Sequence, residues 1–91
     1  MATDLRTTVA PQVEANLPFP RCIAVDFDGT LFVTDFPHIY EPKWDVINRA
    51  KAEQAAGTVL ILWTCRHGEP LNEALRACAE VGLTFDYVNE A

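Results

Sequence analysis

Residues 22–31, Cys-Ile-Ala-Val-Asp-Phe-Asp-Gly-Thr-Leu, set two carboxylates, Asp26 and Asp28, at the end of an apolar run. Side chains two apart on an extended backbone face the same way, so this spacing predicts that both acids converge on one spot. Like charges that close call for a cation. A hard divalent ion with oxygen ligands, Mg²⁺, would relieve the repulsion and hold both groups ionised, which makes Asp26 and Asp28 candidate metal ligands. A division of labour is then available: Asp26 attacks a phosphorus to give an aspartyl-phosphate, and Asp28 protonates the leaving group and later deprotonates water. Gly29 lets the backbone turn sharply and approach a ligand, and Thr30 can hydrogen-bond a carboxylate to fix its orientation. The competing reading is a strand ending in a solvated acidic turn, where Asp-Gly is common.

The elements that must position these groups can be traced along the chain. Residues 1–20 carry Pro11, Pro18 and Pro20 without a sustained period and read as a flexible leader, with a short extended piece at Thr7–Ala10 able to dock on the domain. Residues 21–91 read as one domain. Ile23 to Phe27 form a strand that is apolar on both faces, as a central parallel strand is. Residues 31–42, with Phe36, His38 and Tyr40 among prolines, read as a loop or small flap too short to be a cap domain. Pro42 suits the first position of a helix running to Ala56, with Trp44, Ile47 and Ala50 on its apolar stripe and Gly57 as its stop. Thr58 to Trp63 form a second apolar strand, which delivers Thr64, Cys65, Arg66 and His67 to its end. Pro70 opens a second helix whose Leu71, Ala74, Leu75, Cys78 and Val81 share one face. Leu83 to Val88 complete a βαβαβ order, predicting an α/β, Rossmann-like parallel sheet with right-handed crossovers and ligands at the carboxyl ends of the strands. There Thr64 comes within reach of Asp26 and can donate to a phosphate oxygen.

The apolar run into Asp-x-Asp-Gly-Thr resembles the first motif of the haloacid dehalogenase-like hydrolase superfamily, and Val-Leu-Ile-Leu-Trp-Thr resembles its second. Residues 21–90 are also similar to small hydrolase-like members found in bacteria and phages. The resemblance implies a Mg²⁺-dependent phosphatase in which Asp26 is the nucleophile, Asp28 the acid/base and Thr30 a supporting residue. It implies that the Asp26 carboxylate and the Asp28 carbonyl touch the metal. A truncated core without a cap domain follows, because two further motifs have no counterpart. The lysines, Lys43 and Lys51, precede Thr64 and are expected on the first helix's surface. Glu69, Glu73, Glu80, Asp86 and Glu90 end no further apolar strand. In the family's strand order the missing fourth strand pairs with the first, so an apolar edge is expected, covered by the leader or by a second copy of the chain.

Composition narrows the classes of partner. A formal net charge of −6 over 91 residues argues against nucleic-acid and anionic membrane surfaces. No apolar stretch approaches the roughly 20 residues of a membrane span. Cys22, Cys65 and Cys78 form no C-x-x-C pair, which suggests reduced cytoplasmic thiols rather than a disulfide framework or zinc site. Arg66 can bind substrate phosphate in place of the missing basic group, or be a solvated loop arginine. His38 and His67 receive no role, Cys65 reads as core, and Trp44 and Trp63 are expected to pack. The substrate class is a phosphorylated small molecule or phosphoprotein. The alternative function is a catalytically weak or inactive module that binds metal, phosphate or a protein partner.

Overall fold

A computed structural model describes residues 21–90. Three strands, β1 (Cys22–Val25), β4 (Val59–Leu62) and β5 (Tyr87–Val88), form a parallel sheet in the order β1-β4-β5. A separate antiparallel hairpin joins β2 (Phe32–Asp35) to β3 (His38–Pro42). The helices are α1 (Trp44–Ala55) and α2 (Gly68–Glu80). The result is a small α/β domain compatible with a Rossmann-like fold, with β1, α1, β4, α2 and β5 in the expected order.

The core lies on one face of the sheet. Val25, Leu60 and Leu62 pack with Ile47 and Ala50 of α1 and with Ala74 and Cys78 of α2 in a single buried cluster. Both helices therefore cover the same face. The register pairs Ala24 with Ile61 and Ile61 with Tyr87 on the opposite face, where Ala24 and Tyr87 are exposed. Trp63, two residues beyond Ile61, is 54% exposed, and Trp44, at the amino end of α1, is 50% exposed. The expectation that both tryptophans pack is thus corrected. Among the described residues both helices lie on one side, and Trp44 stands at the tip of its helix.

Several boundaries move for physical reasons. β1 stops at Val25, because the Phe27 carbonyl accepts hydrogen bonds from the N–H groups of Thr30 (3.2 Å) and Leu31 (3.0 Å) and closes a tight turn. β1 is an edge strand among the described residues, with Cys22 and Ala24 exposed, rather than a central strand buried on both faces. Residues 31–42 form a hairpin rather than a loop. Its turn holds the cis Phe36–Pro37 peptide, and Phe32 pairs with Pro42. Pro42 therefore ends β3 instead of opening α1, and Lys43 stands at the N-cap. α2 begins at Gly68, two residues before Pro70, whose missing N–H costs little in a first turn. The last strand shrinks to two residues, since the N–H and a carboxylate oxygen of Asp86 bond Leu60 at 2.9 Å each, ahead of the ladder. The expected leader, and its cover of the β1 edge, lie outside the described residues.

The helices are tied to each other at their far ends. Lys51 Nζ donates to the Val81 carbonyl at 3.0 Å and so caps the carboxyl end of α2. Neither lysine is a free surface group. Cys78 faces the core from α2, and burial pushes its thiol up to about 12. A thiol reagent near pH 8 should label Cys22 and Cys65, which are exposed, and spare Cys78 until the chain unfolds. Mass spectrometry of the labelled native chain checks this, and modification of Cys78 at the same rate as the others would contradict it.

Candidate functional site

The site begins where β1 and β4 end side by side. The N–H of Trp63 donates to the Val25 carbonyl at 2.9 Å, carrying the ladder one step past both strands. Asp26 follows Val25 and is exposed. Phe27 then turns fully inward, 5.3 Å from Phe32 between ring centres. Asp28 follows at the start of this turn, and its carboxylate reaches the loop after β4.

There it meets Arg66. Arg66 Nη2 donates to Asp28 Oδ1 at 2.7 Å and Nε donates to Oδ2 at 2.9 Å, a two-pronged pair between positions 38 apart. The Arg66 side chain is 1% exposed and that of Asp28 34%. Such forks match the planar guanidinium to both carboxylate oxygens. Arg66 was expected to bind substrate phosphate, or to be solvated in its loop. Its burial corrects the solvated alternative, and in this structure its donors are engaged by Asp28 and by the Pro37 and Pro70 carbonyls. In this structure Arg66 thus engages both oxygens of the Asp28 carboxylate, a group expected to ligate a metal.

Thr64 supports this arrangement from the backbone side. Its Oγ1 accepts from the Arg66 N–H at 3.1 Å, and its own N–H donates to Asn89 Oδ1 at 2.8 Å. Thr34 on β2 helps to lower the Asp28 pKa, and Thr30, expected to orient a carboxylate, sits half-buried in the turn. Lys43 is a residue the sequence reading missed. Its Nζ donates to the Gly29 carbonyl at 3.2 Å and brings a positive charge to the acid loop. The signal was its place at the end of the flap, which returns the chain to the loop. The Lys43 N–H bonds the Leu31 carbonyl at 2.8 Å. Gly29 itself has φ +76°, a conformation that disfavours other residues at this turn.

The Arg66 hydrogen bonds lower the Asp28 pKa from the ordinary 3.8, outweighing the burial that raises it, with Thr34 and the Arg66 charge adding to the lowering. Because Asp28 titrates lower folded than unfolded, its stabilisation is present above 3.8 and is lost as pH falls through the depressed value. Urea unfolding at about pH 7 and at about pH 3 should therefore show a stability gap between wild type and Asp28→Asn that narrows in acid. An equal gap at both pH values would contradict the assignment.

The donor chemistry bears on Mg²⁺. Asp26 offers an exposed carboxylate, and the Asp28 carbonyl accepts no main-chain hydrogen bond from the described residues. Both are hard oxygens of the kind Mg²⁺ prefers. Among the described residues no cluster of three or more His, Cys, Asp or Glu side chains forms. No described helix is long and apolar enough to cross a membrane.

No family model matches the chain, and no curated protein matches it. It is similar to a solved structure described as the structure of a conserved protein coded by a locus from Bacteroides thetaiotaomicron, with 39% sequence identity and a TM-score of 0.74. The match covers 79% of this chain and 60% of that one, so the chain spans well under two thirds of its solved neighbour while sharing its α/β fold.

Proposed function

We propose that the chain is a Mg²⁺-dependent phosphohydrolase of the haloacid dehalogenase-like kind, a truncated core without a cap domain, acting through an aspartyl-phosphate on Asp26. The reading rests on one observation. The Asp-x-Asp-Gly-Thr turn and the Thr64–Arg66 segment meet at the ends of adjacent parallel strands, bridged by the Asp28–Arg66 pair. Strand ends of this kind are where α/β sheets bind ligands.

Asp26 stands exposed at that mouth as the nucleophile. Its carboxylate and the Asp28 carbonyl are the groups that would hold Mg²⁺, which when bound would offset the charge of the phosphate. Thr64 keeps its O–H to donate to a phosphoryl oxygen, since its Oγ1 already accepts from Arg66. Lys43 adds positive charge at the loop. With no cap over it among the described residues, the site suits a phosphorylated small molecule or phosphoprotein in a reducing, cytoplasmic setting, and a second copy of the chain can pair along β1.

One observation favours the second reading, a module that binds metal, phosphate or a protein partner with little turnover. Arg66 engages both Asp28 oxygens, so Asp28 enters proton transfer only when that fork loosens. Assay of 4-nitrophenyl phosphate with and without Mg²⁺, for wild type and Asp26→Asn, separates the two. Hydrolysis that needs both the ion and Asp26 supports the enzyme, and its absence supports the module.

A further inference from the structure

Arg66 touches more than Asp28. Its Nη1 donates to the Pro37 carbonyl in the hairpin turn and to the Pro70 carbonyl in the first turn of α2, each at 3.3 Å. Its Cζ lies 5.0 Å from the ring centres of both Phe27 and Phe36. One guanidinium thus joins the acid loop, the hairpin tip and the amino end of α2. Phe36 is 63% exposed, so the tip has little apolar burial of its own to hold it. The hairpin is also anchored at its base by buried Phe32 and, one pair in from the turn, by Ile39 packed on the core.

A guanidinium is planar and its donors point in fixed directions. Asp28 therefore cannot shift without turning the fork that also holds Pro37. We propose that Arg66 is a positioning residue that latches the tip of the β2–β3 hairpin to Asp28, so that the carboxylate and the tip move together. A ligand that draws Asp28 away from Arg66 then also releases the hairpin beside the site. This makes the tip a gate set by the state of the acid loop rather than a passive turn.

Hydrogen exchange followed by mass spectrometry tests the latch without relying on turnover. Asp28→Asn and Arg66→Met should each speed exchange at residues 35–40 by about tenfold or more, the scale of losing a charge-assisted hydrogen bond, while β4 and α1 keep their rates. Thr34→Val, a neighbouring change on β2 that leaves the fork, should change tip exchange by less than about twofold. Tip exchange unchanged in Asp28→Asn overturns the proposal even if Arg66→Met fails to fold, and so does a Thr34→Val effect as large as that of Asp28→Asn. A catalytic arm rests on the phosphohydrolase reading above: Arg66→Lys, which keeps the charge but not the fork that withholds Asp28 from proton transfer, should shift kcat for 4-nitrophenyl phosphate with little change in KM. A purely structural Arg66 would instead leave kcat per folded molecule unchanged, which also counts against the proposal. An inactive wild type would remove the phosphohydrolase reading, and exchange alone would then decide the latch.

Discussion

Asp26→Asn should lower Mg²⁺-dependent hydrolysis of 4-nitrophenyl phosphate by at least about 10³-fold while leaving stability within about 0.5 kcal/mol of wild type. The two halves of this expectation have separate causes. Asparagine keeps the shape of the side chain but lacks the carboxylate needed to form an acyl-phosphate, so a covalent route closes completely. Asp26 is exposed just beyond β1, and replacing a surface side chain of the same shape costs the fold little. Steady-state kinetics and urea unfolding on the same preparation check both halves. Activity retained within tenfold would remove Asp26 as the nucleophile, and a large loss of stability would turn any loss of rate into an effect on folding.

Asp28→Ala is expected to have the opposite profile, a loss of about 2–3 kcal/mol in stability. Removing one partner of a buried ion pair leaves the other charge without compensation. Arg66, with its side chain 1% exposed, would then hold a buried charge without its carboxylate. The value sits at the lower end for buried pairs because Asp28 is 34% exposed, so solvent already screens part of the interaction, and because the Pro37 and Pro70 carbonyls stay with the guanidinium. For a domain whose whole stability is on the order of 5–10 kcal/mol, this loss is large. Circular dichroism through a urea titration measures it, and a change below about 0.5 kcal/mol would mean that the pair contributes no more than an exposed one.

Local patterning carried most of the fold. The stripe of Leu71, Ala74, Leu75, Cys78 and Val81 reappears as the core-facing side of α2, with Ala74 and Cys78 fully buried. The apolar run before Thr64 became β4, and alternation of strands and helices gave the parallel order. Boundaries failed where hydrogen bonds between distant residues decided them. The turn closed on the Phe27 carbonyl ends β1 at Val25, earlier than the apolar run alone suggests. The hairpin was hidden by prolines that break a strand signal when read one at a time, although Phe-Val-Thr-Asp and His-Ile-Tyr-Glu have β-forming composition. Among the site residues, the meeting of the two strand-end segments could be foreseen from the topology. The burial of Arg66 could not, because its partners come from positions 28, 37 and 70 and no local pattern links them.

That both described helices lie on a single side of the sheet has a practical consequence for how this protein reports on itself. Trp44 and Trp63 are both about half in contact with water in the native state. Their fluorescence should already emit at long wavelength before unfolding and shift only slightly on denaturation. Intrinsic emission will therefore be a poor gauge of whether the chain is folded, and a small spectral change in a variant should be read as a change around these two indoles rather than in the core beneath the other face.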